Sequence, residues 1–158
     1  AAATAAAAAR AQTSRTRTQA QPMKRREINP WTWQEPYDFS HAIEIVGAEA
    51  IVHCAGQVSV DADGHPLHAG DMAAQFHCAL DNLERVLREA QLTLGDLTRL
   101  NYYVTDVPAF LDAVPRVGPR LRAAGCKPAS TLLGVSRLAM PEAMIELEAT
   151  AVRGPAAR

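Results

Sequence analysis

Two glutamates near the end of the chain, Glu146 and Glu148, have the spacing of acid–base groups carried on one strand. They alternate with apolar residues between Met144 and Val152, and this period of two places both carboxylates on the same face of the predicted strand. A carboxylate held in this way can orient a water molecule or accept its proton. A solvated outer face shows the same pattern, so we expect one of the two carboxylates to be structural or ion-paired.

Serine, cysteine and histidine side chains offer nucleophilic or metal-dependent chemistry. As a nucleophile, Ser130 would need a base within hydrogen-bond reach, and no Gly-x-Ser-x-Gly motif surrounds it. We therefore expect Ser130 to hydrogen-bond to a ligand or to the backbone. Cys126 would be reactive if exposed and inert if buried. No pair of histidines has metal-ligand spacing with a carboxylate, so we expect no metal site.

Glycine and aromatic residues at the ends and centres of predicted strands could shape a binding cleft. Gly56, followed by Gln57, ends the second predicted strand, and because glycine has no Cβ it permits either close approach of a ligand or a bulge. Tyr103 lies in the third predicted strand and could wall a cleft, although core packing is the commoner role of such an aromatic residue.

Composition restricts the possible partners. The chain has 158 residues, with 16 Lys and Arg against 17 Asp and Glu, but its first 26 residues carry six positive charges and no acid. The remainder is therefore acidic, which disfavours nucleic acid as a partner, since binding to nucleic acid depends on neutralising phosphates. No apolar run approaches the roughly 18–20 residues that cross a bilayer, so we expect no membrane association.

The cysteines and the first segment bear on location and domain organisation. Three widely spaced cysteines without a CxxC pair exclude a disulfide framework and favour a reducing compartment, for which the cytoplasm is our prediction. Residues 1–26 begin with an Ala-, Thr-, Arg- and Gln-rich stretch that cannot form a core. We expect a disordered tail or residues added before a natural start at Met23, with an organelle transit peptide as the alternative. Residues 27–158 then form a single domain.

Hydrophobic periodicity predicts the element order β-β-α-β-α-β-β. The predicted elements are a hairpin over 41–47 and 50–55, a helix over 71–90, a strand over 97–105, a helix over 106–121 and strands over 131–136 and 144–152. Pro115 and the pair Gly118-Pro119 are expected to kink or shorten the second helix. Two helices cover only one face of such a sheet, and three strands have apolar residues on both faces. We therefore predict an obligate oligomer.

Several local patterns occur together in one order along the chain. They are His41-Ala-Ile, Ala55-Gly-Gln57-Val-Ser-Val60, Leu80-Asp-Asn-Leu83, Val104-Thr-Asp106, Pro128-Ala-Ser-Thr131 and Ile145-Glu-Leu-Glu-Ala149. In this order the chain, from about Phe39 to Val152, resembles the reactive intermediate deaminase (Rid) family, also called YjgF-like or endoribonuclease L-PSP-like. The resemblance implies an α+β, chorismate-mutase-like subunit with a mixed sheet and two helices on one face, and a homotrimer with ligand clefts between subunits.

The resemblance also implies an activity and a set of site residues. Family members hydrolyse small reactive imines or enamines to a carbonyl compound and ammonia without a metal or organic cofactor. On this basis Glu146 is the expected catalytic carboxylate that holds the attacking water. The expected substrate-binding residues are Ser130, Thr131, Gly56, Gln57, Phe39 and Tyr103, where Phe39 takes the place of a tyrosine found in many relatives.

One departure from the family pattern puts the activity in question. Deaminating members carry Pro-Ala-Arg-Ser/Thr, whose arginine binds the substrate carboxylate, whereas this chain has Pro128-Ala-Ser130-Thr131. A neutral hydroxyl cannot balance a carboxylate removed from water. Three interpretations remain: Arg137 or Lys127 supplies the charge, the substrate has no carboxylate, or the site binds without catalysis. The alternative to an imine hydrolase is thus a non-catalytic trimer that binds a metabolite or docks on an enzyme. Ribonuclease activity is disfavoured by the acidic body.

Overall fold

A computed structural model describes residues 21–155 of the chain. The strands are β1 (Lys24–Ile28), β2 (Ala42–Val46), β3 (Ala50–Gln57), β4 (Leu97–Val104), β5 (Ala129–Gly134) and β6 (Ile145–Arg153), and the helices are α1 (Met72–Glu89) and α2 (Val107–Ala123). Short 3-10 turns cover Glu35–Tyr37 and Leu94–Asp96. The predicted tail over residues 1–20 lies outside the described residues.

The main sheet has four strands in the order β3-β6-β4-β5. Strand β6 pairs antiparallel with both β3 and β4, whereas β4 and β5 are parallel, so the sheet is mixed as predicted. The central strand β6 therefore has a neighbour on each side, and its side chains lie between those of β3 and β4. This position places Glu146 and Glu148 in the middle of the sheet.

Both helices pack on one face of this sheet, as predicted. Each helix begins at an aspartate, Asp71 or Asp106, whose carboxylate accepts a hydrogen bond from a backbone N–H in the first turn. The core between helices and sheet is made of fully buried side chains, including Phe76, Leu80, Leu83, Leu100, Ile145 and Leu147. The opposite face of the sheet is not covered by any element among residues 21–155.

The predicted hairpin of the first two strands is wrong. Both strands form, but β2 pairs with β1 in a separate two-stranded sheet, and β3 pairs with β6. Strand β1 was not predicted, because Lys24-Arg-Arg-Glu27 lacks the apolar alternation of a buried strand. The predicted tail over residues 1–26 is therefore too long, because residues 24–26 belong to this strand. Local periodicity predicts strands but does not identify their partners.

The prolines of α2 do not shorten the helix, so this one of the two predicted effects is wrong. The helix runs to Ala123 through Pro115 and Pro119, both of which are exposed. Its buried face carries Phe110, Ala113, Val117 and Leu121. Packing of this face on the core offsets the two backbone hydrogen bonds that the prolines cannot donate.

The uncovered face of the sheet is partly polar. Ile51 and Leu133 are exposed there, but β4 presents Arg99, Asn101 and Tyr103, while its apolar residues point to the helices. The prediction that all three strands have two apolar faces is therefore wrong for β4.

No helix within residues 21–155 is long and apolar enough to cross a bilayer.

Candidate active site

Glu146 and Glu148 lie on the uncovered face of the sheet, on the central strand. Opposite them on β4 are Tyr103, paired with Glu146, and Asn101, paired with Glu148. Because side chains alternate across a strand, these four groups share one face. The two glutamates, which come from one strand, are thus joined by polar groups from a second strand about 45 residues earlier.

A third strand contributes Gly56, which lies against the side chain of Glu146. A Cβ added to Gly56 would come within 1.7 Å of Oε1 of Glu146 and within 2.6 Å of its Cδ. The pairing of β3 with β6 shifts register between Cys54 and Gln57, so Gly56 also lies in a bulge. The bulge foreseen for this glycine is present, and the missing Cβ leaves room for the Glu146 side chain. The group that approaches is the carboxylate of the protein itself.

These side chains line a cleft of about 320 Å³. Its lining residues are Gly56, Tyr103, Val135, Arg137, Leu138, Ala139, Glu146 and Glu148. The volume is at the lower end of the range for small-molecule sites. The lining includes one cation, Arg137, and two carboxylates, Glu146 and Glu148, which suits a small polar ligand.

A hydrogen-bond network fixes Glu148. Its Oε2 accepts from the Tyr103 hydroxyl at 2.7 Å and from Asn101 Nδ2 at 3.0 Å. These two donors, assisted by the charge of Arg99, lower the pKa of Glu148, whereas the carboxylate raises the pKa of the Tyr103 hydroxyl. Glu148 is therefore an anchored, ionised acceptor, in agreement with the expectation that one glutamate of the pair is structural.

We predict that Tyr103→Phe raises the pKa of Glu148 towards that of an ordinary glutamate. Because these hydrogen bonds lower the pKa of Glu148, they stabilise the fold at pH values above the ordinary glutamate pKa. This stabilisation is lost as the pH falls through the lowered pKa. The variant should therefore show a weaker decline in stability upon acidification. The measurement is a carboxyl-carbon NMR titration of both proteins. An unchanged Glu148 pKa would contradict the network.

The predicted ligand residues do not all meet in this cleft. Gly56 and Tyr103 line it with Glu146, but Ser130 and Phe39 line a second cavity on the helix side of the sheet. Thr131 points to the uncovered face, where its hydroxyl lies 3.5 Å from the Arg99 guanidinium. Consecutive residues of β5 thus point to opposite faces.

Gln57 and Lys127 line neither cavity. The Gln57 side chain donates to the carbonyl of Ala55, and the carbonyl of Lys127 accepts from Arg25 and Ser40. Cys126 is buried, and burial raises the pKa of its thiol to about 12. Its thiolate is not formed at neutral pH, so this cysteine is the inert type.

Asn101 was missed by the sequence analysis. It lies two residues before Tyr103 on β4, so its position on the same face could have been inferred from the strand period. Arg137, considered only as one of two possible cations, is the one that lines the cleft. Its position depends on how the segment after β5 turns towards β6, which local sequence does not specify.

One group of potential metal ligands was also not foreseen. The turn formed by Asp61, Asp63 and His65 brings one ligand atom of each residue within 4.8 Å of the others. One carboxylate oxygen of Asp61 accepts hydrogen bonds from the backbone N–H groups of Asp63 and His65. These bonds lower the pKa of Asp61 and account for its role in closing the turn.

Comparison with known proteins gives consistent matches. The family model described as "Endoribonuclease L-PSP" matches residues 34–153. The structure of YyfB from Yersinia pestis, described as a protein of unknown function of the conserved Rid family, is 37% identical, with a TM-score of 0.71 over 81% of this chain and 98% of that one. The YjgF gene product of E. coli is 26% identical, with a TM-score of 0.59 over 73% of this chain and 87% of that one. A RutC family protein from Pyrococcus abyssi is 27% identical over 115 residues, which cover 73% of this chain and 86% of the relative.

Proposed function

Since the chain belongs to the endoribonuclease L-PSP family, which includes the Rid and YjgF proteins, we propose that it hydrolyses a small reactive imine or enamine in the Glu146 cleft. The products are a carbonyl compound and ammonia. Glu146 is the proposed catalytic residue, and Arg137 is the proposed cation that binds a substrate carboxylate. Gly56 and Tyr103 form the adjoining walls.

The observation that carries this proposal is that Glu146 and Arg137 line the same cleft without being paired. Among residues 21–155, neither side chain makes a hydrogen bond or an ion pair. Glu148, in contrast, has two hydrogen-bond donors and is held in place. A carboxylate and a guanidinium that are both available for a ligand are what an imino acid and its attacking water require.

The reaction needs only proton transfers around an electrophilic carbon. The water oxygen bonds to the imine carbon while Glu146 accepts a proton from that water, and the nitrogen acquires this proton. Glu146 next takes the hydroxyl proton of the resulting carbinolamine and passes it to the nitrogen, and the carbon–nitrogen bond breaks as the carbonyl forms, which releases ammonia. Arg137 supplies a planar pair of donors for the carboxylate, so the reacting carbon is held beside the water.

Ser130 does not carry the carboxylate in this proposal. Its side chain points to the helix side of the sheet, whereas Arg137 lines the cleft with Glu146. Of the three interpretations left open by the sequence, the geometry favours the first, in which another cation replaces the family arginine.

We further propose that the protein is a homotrimer in the cytoplasm. The uncovered face of the sheet exposes Ile51 and Leu133, which are 61% and 48% accessible in the single chain. Burial of such residues against a second subunit is favourable, by roughly 25 cal/mol per Å² of apolar surface. Sedimentation equilibrium should give three times the chain mass, and a monomer at micromolar concentration would contradict this.

Replacing Arg137 tests the proposed activity. With 2-iminopropanoate generated in situ, Arg137→Gln should lower kcat/KM about 10- to 100-fold, chiefly through KM, because a desolvated carboxylate loses its partner. Arg137→Lys should be intermediate, since an ammonium lacks the bidentate geometry. Arg85→Gln, an exposed arginine on α1, is the matched control and should retain full activity. Equal kcat/KM in Arg137→Gln and the unaltered protein would refute the role of Arg137.

A further inference from the structure

Gln75 is a polar residue on the buried face of helix α1. Its side chain is 1% exposed and lies one turn after the helix cap at Asp71, on the same face as the buried residues Met72 and Ala79. The apolar spacing of α1 would by itself predict an aliphatic residue at this position. A carboxamide removed from water is costly unless hydrogen bonds satisfy it. The partners of this amide therefore indicate its role.

The carboxamide of Gln75 bonds to the backbone just before strand β6. Its Nε2 donates to the carbonyl of Glu142 at 2.8 Å, and its Oε1 accepts from the backbone N–H of Met144 at 2.7 Å. A third bond, from Nε2 to the carbonyl of His68 at 3.2 Å, fixes the amide itself. Because a carboxamide carries the same donor and acceptor as a peptide unit, Gln75 pairs with this segment as a neighbouring strand would.

The segment 135–144, which joins β5 to β6, has few other polar anchors. Its first residue donates a hydrogen bond to the end of β4, and the carbonyl of its last residue accepts one from the residue after β4. Within residues 21–155, residues 136–141 make no hydrogen bond to any residue outside the segment. Arg137 lies in this stretch and lines the Glu146 cleft. Its position therefore depends on how the two ends of the segment are fixed.

Glu146 is held by a different set of contacts. It lies within β6, where it pairs with Tyr103 of β4, and β6 also pairs with β3. None of these pairings involves Gln75, so loss of the Gln75 amide should leave the Glu146 carboxylate in place. The cation and the carboxylate of the cleft thus depend on separate supports.

We propose that Gln75 is a positioning residue for Arg137. The role rests on the function proposed above, in which Arg137 binds the carboxylate of the substrate. The Gln75 amide holds the end of segment 135–144 against helix α1, so that the guanidinium stays in the cleft. Gln75 itself does not line the cleft.

Gln75→Met tests this role by separating KM from kcat. Methionine has a similar length and volume, but it leaves the Glu142 carbonyl and the Met144 N–H without their partner. With 2-iminopropanoate, KM should rise about 5- to 20-fold while kcat changes by less than about twofold. In the Arg137→Gln background, the same substitution should raise KM by less than about twofold. An unchanged KM, a fall in kcat as large as the rise in KM, or KM effects that multiply would overturn the proposal.

Asn82→Leu is the matched control. Asn82 lies two turns after Gln75 on the same face of α1, and its Nδ2 also donates to two backbone carbonyls, those of Val58 and Val60, each at 3.0 Å. Neither valine lines the Glu146 cleft. This variant removes hydrogen bonds of the same kind, so it should lower the melting temperature but leave KM within about twofold of that of the unaltered protein. An equal rise in KM in both variants would mean that Gln75 acts only through general stability.

Gln75→Asn replaces the methionine variant if that variant does not fold. Asparagine keeps the carboxamide on a stem one methylene shorter, so the amide cannot reach Glu142, Met144 and His68 at once. KM should rise about threefold or more with kcat retained. An unchanged KM would again overturn the proposal.

The order of segment 135–144 tests the anchoring independently of any activity. In Gln75→Met, the NMR order parameters of the backbone amides from Arg137 to Ala139 should fall, whereas in Asn82→Leu they should not. Unchanged order parameters in Gln75→Met would refute the positioning role even in a protein that hydrolyses imines. Lowered order parameters in a protein that hydrolyses no imine would refute the proposed function and leave the anchoring by Gln75 supported.

Discussion

Glu146→Gln is expected to lower kcat for imine hydrolysis by about 10²- to 10³-fold. Glutamine keeps the size of the side chain and can still accept a hydrogen bond, but it cannot take a proton from the attacking water. Since the Glu146 carboxylate makes no hydrogen bond or ion pair within residues 21–155, its loss should leave the melting temperature nearly unchanged. The measurements are the steady-state assay with 2-iminopropanoate and a thermal melt of the same samples.

The matched control for this variant is Glu89→Gln, which neutralises an exposed glutamate in the last turn of α1. It changes the net charge equally but lies outside the cleft, so kcat should be retained. Loss of activity in both variants would indicate a general charge effect. Full activity of Glu146→Gln would refute a general-base role and favour the binding-protein alternative.

Gly56→Ala is expected to lower activity about 100-fold with little effect on folding. The added Cβ would lie 1.7 Å from Oε1, 2.6 Å from Cδ and 2.9 Å from Cγ of Glu146, so the glutamate side chain must move. These atoms belong to a flexible side chain, and Gly56 does not have a positive φ, so the backbone can accept alanine. We expect the carboxylate to leave the position in which the proposed mechanism has it hold the attacking water, while the sheet persists.

A double-mutant cycle tests the mechanism of this loss. If Gly56→Ala acts by displacing the Glu146 carboxylate, then adding Glu146→Gln should reduce activity no further than Glu146→Gln does by itself. Losses that multiply would mean that Gly56 acts independently, for example through its backbone N–H. A melting temperature lowered by more than about 10 °C would instead show that alanine disrupts the bulge of β3.

The sequence predicted the structure correctly where the spacing of neighbouring apolar residues determines it. The alternation from Met144 to Val152 correctly predicted a strand with Glu146 and Glu148 on one face. The spacing of apolar residues after Asp71 predicted helix α1, and its aspartate cap is confirmed by the hydrogen bond to Ala74. These features depend on residues within a few positions of each other, so their geometry follows from the backbone repeat.

The order of short motifs was also sufficient to predict the family and the mixed α+β sheet. Both are confirmed by the family match over residues 34–153 and by the solved structures of relatives. No long-range geometry was needed, because each motif marks one element of a known order. The oligomer and the chemistry remain proposals, since they depend on contacts beyond one chain and on the substrate.

Only the tertiary structure determines which side chains line the cleft. The approach of Gly56 to Glu146 depends on the bulged pairing of β3 with β6, and the position of Arg137 depends on the path after β5. Ser130 and Phe39 were predicted to bind the substrate of Glu146 in a cleft between subunits; within one chain they line a second cavity, because the face to which Ser130 points is set by the pairing of β5 with β4. A strand alternates its faces at every residue, so only long-range pairing determines which face meets which cavity.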